Sequence, residues 1–160
     1  MSRRDPIWFT ATGSGTARLD LSDDERALLG NLMDQTRMMI LGEDQRAWRL
    51  FPETYPQDPA MEARHRELVG DDLRDNRLAA IETITSTLDD DEIDADTLDE
   101  WVRAINATRL VIGTVLDVDA DTDPDDFVEG SPDHIQLAVY DYLTHMLAEG
   151  IRALGELGED

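Results

Sequence analysis

Apolar and polar residues alternate at the start of the chain, then recur at helical spacing almost to its end. Over residues 4–21, Ile7, Phe9 and Ala11 alternate with Trp8, Thr10 and Thr12. Gly13-Ser14-Gly15 supplies a turn, and Ala17, Leu19 and Leu21 alternate again beyond it. This pattern predicts a β-hairpin. A lone hairpin is marginal in water, so this one must pack on something.

Ser22-Asp23-Asp24-Glu25 has the form of a capping box and opens a predicted helix that runs to Leu41. Its apolar stripe is Leu28, Leu29, Leu32, Met39 and Ile40, and Gly42 follows as a stop. The segment from Trp48 to Pro59 holds Phe51-Pro52, Tyr55-Pro56 and Asp58-Pro59. Prolines this dense forbid a long helix and predict an ordered, aromatic-rich connection.

Three further helices are predicted. The first is broken near Gly70, with 60–69 leading into 71–88. The second covers 96–116, begun by Asp96 or Thr97. The third starts at Ser131 with Pro132 in its first turn and runs to Leu154, carrying Ile135, Val139, Tyr142, Leu143, Met146 and Leu147 on one stripe. The expected fold is therefore mostly α, a helical bundle with an N-terminal β-hairpin packed against it. It forms a single domain over 1–160, with the hairpin at 4–21, the bundle at 22–155 and the proline-rich connection at 48–59.

Two positive charges interrupt this pattern. At about 100° per residue, Leu98, Val102, Ile105, Ile112 and Leu116 share a face, with Arg109 near its middle and Asn106 at its edge. In the preceding helix Leu73, Ala80, Ile84 and Leu88 share a face that contains Arg77. A buried guanidinium must be paired or hydrogen-bonded. Glu82 and Asp141 are candidate partners, so Arg77, Asn106, Arg109, Glu82 and Asp141 form a candidate buried polar network. Its structural reading is that the arginines fix helix packing. Its functional reading is a small anion or carboxylate pocket between helices.

Charge narrows the function classes. The 160 residues carry a net charge of −23, with 37 acidic residues against 14 basic ones, all of them arginine. Aspartate is about twice as common as glutamate. Genome-wide bias or adaptation to salt accounts for such a surface without any specific acidic function. The acid collects in runs such as Asp89-Asp90-Asp91-Glu92 and the stretch from Asp117 to Glu129. These runs read as loops around a folded core. A field of this sign repels nucleic acid and anionic membrane. Arg3, Arg4 and Arg18 beside the hairpin are too few to reverse it, and no basic recognition helix is present. Direct nucleic-acid binding is not expected.

No cysteine is present, which excludes disulfides, thiolate metal sites and thiol switches. No apolar run approaches the roughly 20 residues that span a bilayer, and the N-terminus lacks the apolar core of a signal peptide. A cytoplasmic protein with no membrane partner is expected. The loop from Asp117 places carboxylates at alternate positions but lacks the glycine and terminal glutamate of a calcium loop at Thr122 and Val128. His65, His134 and His145 have no ligand spacing, no serine sits in a nucleophile elbow, and Gly13-Ser14-Gly15 has no lysine after it. No catalytic residue, cofactor or metal site is therefore assigned. Trp8, Trp48, Phe51 and Tyr55 are a candidate interaction surface, set against the simpler reading that they close the core.

Leu50-Phe51-Pro52-Glu53-Thr54-Tyr55-Pro56, Asp71-Asp72-Leu73-Arg74-Asp75-Asn76-Arg77-Leu78, Ile105-Asn106-Ala107-Thr108-Arg109-Leu110-Val111-Ile112-Gly113-Thr114 and Val139-Tyr140-Asp141-Tyr142-Leu143 together carry a resemblance. Over nearly its whole length the chain resembles the AosR family of bacterial amino acid and oxidative stress regulators, and the Asn-x-x-Arg-Leu-x-x-Gly segment is the most specific part. The resemblance implies a non-enzymatic regulator acting through protein contacts with the transcription machinery, near sulfur amino-acid metabolism and proteolysis. Redox sensing in that family is attributed to a cysteine pair, which this chain lacks, so thiol sensing does not carry over. The expected function is a regulatory or adaptor protein that binds other proteins, with a homodimer left open. The alternative is a small-ligand sensor or hydrolase with a pocket around Arg77 and Arg109.

Overall fold

The computed structural model describes residues 7–42, 44–50, 54–116, 123 and 128–158. Strands β1 (Phe9–Ala11) and β2 (Thr16–Leu19) form the expected hairpin, with Phe9 opposite Leu19 and Ala11 opposite Ala17. Gly13 and Gly15 both take positive φ, 86° and 79°, a conformation that a side chain would strain. The other elements are α1 (Asp23–Leu41), a 3-10 helix (Gln45–Leu50), α2 (Pro59–Thr87), β3 (Glu92–Asp94), α3 (Ala95–Leu116) and α4 (Pro132–Leu157). The architecture is mostly helical, with a small antiparallel sheet packed on the bundle.

The helix starts follow local chemistry. Ser22 Oγ accepts the Glu25 N–H at 3.1 Å while Glu25 Oε2 accepts the Ser22 N–H at 2.9 Å, so two orphan donors of α1 are satisfied together. Asp58 caps α2 through the Met61 N–H, and Ser131 caps α4 through the His134 N–H, each with proline in the first turn.

Two elements differ from expectation. Strand β3 begins at Glu92, the last residue of an acidic run read as loop. Its one apolar residue, Ile93, is buried and pairs with Ala17 of β2 in the order β1-β2-β3. Three residues with a single apolar side chain show no alternation, and the charged neighbours suit an edge strand that must not recruit another chain. Helix α2 is continuous through Gly70. An interior glycine costs about 1 kcal/mol, which a helix of 29 residues packed on α3 absorbs. Trp48 belongs to the 3-10 helix, and Phe51 lies outside the described residues.

The core forms where α3 meets α1, α2, α4 and the sheet. Trp101, Phe9, Leu29, Met33, Ile84, Ile105, Leu143 and Met146 are fully buried in it. Phe9 meets Trp101 edge-to-face at 6.1 Å between ring centres, and the Trp101 indole N–H donates to Thr87 Oγ1 at 2.7 Å. The hairpin is thereby tied to α3, and α3 to the end of α2. Ile135, placed on the α4 stripe by periodicity, is instead exposed.

Candidate functional site

Arg109 on α3 and Arg77 on α2 are both half-buried, and their partners differ. The Arg109 guanidinium donates to Tyr140 Oη at 3.0 Å and to Asn106 Oδ1 at 3.2 Å, and its carbon lies 5.4 Å from the centre of the Tyr140 ring. The cation is thus shared between an amide, a phenol and a π face, all at the α3–α4 interface. Asn106 takes part through its Oδ1. Tyr140, one turn before Thr144 on α4, supplies the rest.

Arg77 has no comparable partner. Its Nε is buried without an acceptor, and no hydrogen bond or ion pair links it to another of the described residues. Burial and the neighbouring Arg103 cation both push its proton affinity below the ordinary arginine value. Glu82 and Asp141, the carboxylates expected to neutralise the two arginines, are exposed and reach neither. Glu82 lies five residues beyond Arg77, which rotates it off the buried face of α2. The two arginines share a buried Nε without an acceptor, and they differ in that Arg109 has partners for its terminal nitrogens, Asn106 and Tyr140, while Arg77 has none among the described residues.

A second polar centre joins the hairpin, α1 and α4. Glu25 Oε1 accepts the Trp8 indole N–H at 2.9 Å and the Tyr142 O–H at 3.2 Å. The two rings meet edge-to-face at 5.4 Å. Burial works against the Glu25 carboxylate, yet hydrogen bonds from Ser22, Trp8 and Tyr142 outweigh it and hold its pKa below the ordinary value. Burial and the Glu25 charge push the Tyr142 phenol well above its ordinary value. This corrects the place of Trp8 in an interaction surface: it is 4% exposed. Trp8 lies just before the first paired residue of β1, where the strand's in–out alternation no longer holds.

Between α1, α3 and α4 lies a cleft of about 220 Å³ lined in part by Thr36, Met39, Thr108, Val111 and Val139, with Arg46 beside it. The Thr36 and Thr108 hydroxyls lie 3.0 Å apart at its buried end. Thr36 donates to the Leu32 carbonyl at 2.9 Å, so these hydroxyls already hold partners. Neither Arg77 nor Arg109 lines this cleft. Among the described residues no three His, Asp or Glu side chains converge as a metal site. No helix is long and apolar enough to cross a membrane among those residues. The loop compared with a calcium site lies outside the described residues except for Asp123.

A family model described as a domain of unknown function, DUF2017, matches residues 3–154. The chain belongs to the DUF2017 family. The matched span runs from before β1 into the last turns of α4, so hairpin and bundle fall within one family unit. No curated protein and no solved structure matches the chain.

The surface of this DUF2017 chain holds a feature that periodicity concealed. Met61, His65 and Leu68 follow one another at i, i+4 and i+7 on the first half of α2, so they share a face. Met61 is 43% exposed and Leu68 74%. Tyr55, 38% exposed, sets its ring edge-on to His65 at 5.7 Å. Buried Glu62 holds Tyr55 there by accepting the N–H of Thr54 at 3.0 Å and of Tyr55 at 2.6 Å. Of the aromatic residues considered as an interaction surface, Tyr55 is exposed. The Trp48 side chain and Phe51 lie outside the described residues. Reading Met61 as part of a helical stripe would have found this face, but helical stripes are normally buried and nothing in the sequence marks this one as exposed.

Proposed function

We propose that this protein is a non-catalytic regulatory or adaptor protein that binds another protein through the Tyr55, Met61, His65 and Leu68 face. The observation that carries this reading is that the exposed apolar stripe lies in a part of the chain whose charges nearly cancel. Residues 45–77 hold six of the 14 arginines and seven of the 37 acids, so almost all of the −23 charge lies elsewhere. Contact surfaces exclude charge at their centres and favour aromatic and methionine side chains. Glu62 fixes Tyr55 in place before any partner arrives, which lowers the ordering cost of binding.

The resemblance to AosR regulators supports the same class and points to the transcription machinery as the partner, in a cytoplasmic setting. Without cysteine, the stimulus is not a thiol switch. The hydrolase alternative is weaker, because hydrolysis needs a base or nucleophile beside the cations. Glu82 and Asp141 do not reach them.

The test is affinity capture from cells with the wild-type chain and with Leu68→Glu, after melting curves show that both are folded. A reproducible partner that the variant loses supports the reading. An unchanged partner set, or no reproducible partner with and without oxidant, overturns it.

A further inference from the structure

The cleft between α1, α3 and α4 is built from stripes at helical spacing. Thr36 and Met39 face it from α1, Thr108, Val111 and Ile112 from α3, and Val139 from α4. A threonine thus stands on each of two facing stripes where the period calls for an apolar residue, and both are buried, Thr36 at 2% exposure and Thr108 at 1%. The charge of the lining is as unusual. The chain holds 37 acidic and 14 basic residues, yet among the described residues Arg46 alone brings a charge to this cleft. That guanidinium is already taken: its Nε and Nη2 donate to the Asp44 carboxylate at 3.0 and 2.6 Å. The rest of the described lining is neutral.

The buried end offers acceptors and no free donor. Thr36 donates to the Leu32 carbonyl at 2.9 Å. Thr108 then gives its proton to the Thr36 oxygen at 3.0 Å or to the Met33 sulfur at 3.4 Å. Either way both protons are spent within the protein, and no described group donates to the Thr108 oxygen. A hydroxyl oxygen has two lone pairs, so a ligand that brings an O–H is matched here. A carboxylate or phosphate would set its own lone pairs against those of the threonines and lose its hydration with no free cation to replace it. At about 220 Å³, the cleft exceeds the roughly 150 Å³ of an apolar cavity that takes up benzene. We propose that it binds a small uncharged molecule with a ring-sized apolar body and one terminal hydroxyl. The body packs against Met39, Val111, Ile112 and Val139, and the hydroxyl donates to Thr108. The site shares no residue with the Tyr55 face, so it stands whether or not the protein-binding reading holds.

The probes are cyclohexanol and benzyl alcohol, with sodium cyclohexanecarboxylate as the charged control. Each is titrated into the full-length protein while the methyl NMR signals of Met39, Val111, Ile112 and Val139 are followed. At least one alcohol is expected to shift these signals saturably and to leave those of Met61 and Leu68 in place, and the carboxylate should bind more weakly than that alcohol. Thr108→Val keeps the shape of the side chain and removes the acceptor. It should weaken binding of the alcohol by about two- to tenfold, the scale of one neutral hydrogen bond. Benzyl methyl ether, which has no proton to give, should show the same loss relative to benzyl alcohol in the wild type, so the hydroxyl is tested even if that variant does not fold. Val139→Phe fills the cleft and should abolish the shifts. If it does not fold, Val115→Trp serves in its place, since Val115 lines the cleft and is 42% exposed. No saturable shift with either alcohol, a carboxylate that binds as well, or an affinity unchanged by Thr108→Val or by the cleft-filling variant overturns the proposal.

Discussion

The two faces of α3 treat an arginine in opposite ways. Toward α4, Arg109 meets an amide oxygen, a phenol oxygen and an aromatic face, all uncharged. On α2, Arg77 is half-buried, has no hydrogen bond or ion pair among the described residues, and feels the charge of Arg103. Both arginines sit on stripes where periodicity calls for apolar residues. The α3–α4 side therefore supplies acceptors for the terminal nitrogens of Arg109, although its Nε, like that of Arg77, is buried without one. The α2–α3 side supplies none to Arg77 among the described residues. Position on a stripe identifies a residue under constraint; what the facing helix offers decides whether its nitrogens find acceptors.

The α4 side extends to the hairpin through Glu25, and the largest effect is expected there. Glu25→Ala removes the acceptor for the Trp8 indole, the Tyr142 phenol and the Ser22 N–H at once. Leaving such groups unmatched costs about 1–3 kcal/mol each when buried, and these are partly wet, so a total loss of about 2–4 kcal/mol is expected in urea unfolding. The pH dependence gives an independent reading. Glu25 is held below its ordinary pKa of 4.5, so its contribution is complete above that value and disappears as pH falls through the lower, folded-state value. The stability gap between wild type and Glu25→Gln should therefore be widest near neutral pH and close in acid. A gap that stays constant down to acid unfolding would show that the charge of Glu25 plays no part.

The middle effect belongs to Arg109. Arg109→Ala loses two hydrogen bonds and the contact with the Tyr140 ring, worth about 1–3 kcal/mol together. At roughly 2–4 °C per kcal/mol for a domain of this size, the melting temperature should drop by several degrees. An unchanged melting temperature would break the comparison, because Arg109 would then be as dispensable to the fold as Arg77.

These residues were legible in the sequence to different depths. Helical spacing placed Arg77 and Arg109 on core-facing stripes and Asn106 beside Arg109. It could not name Tyr140, because the face that α4 turns toward α3 depends on how the two helices pack and not on the period of either one. Ser22 and Glu25 announced themselves as a capping box, a pattern only four residues long. The other half of Glu25's role was invisible: its partners Trp8 and Tyr142 lie 17 and 117 residues away. Glu82 and Asp141 were named because acids are everywhere in this chain, which is the condition under which naming an acid carries least information. The hairpin could be read from alternation and glycines, whereas β3 could not, since one isoleucine among acids shows no period.

The smallest effect is the most discriminating. Arg77→Met replaces a half-buried guanidinium by an apolar side chain that can follow much the same path between α2 and α3. It removes a desolvated charge, an unmatched donor and the repulsion from Arg103, and it breaks no hydrogen bond among the described residues. Replacing buried charge by well-packed apolar volume is often neutral or stabilising. The stability of Arg77→Met in urea should stay within about 0.5 kcal/mol of wild type or rise, the range of substitutions that touch no special feature. A fall as large as that of Arg109→Ala would mean that Arg77 is held by the fold after all, and the two faces of α3 would no longer differ in kind.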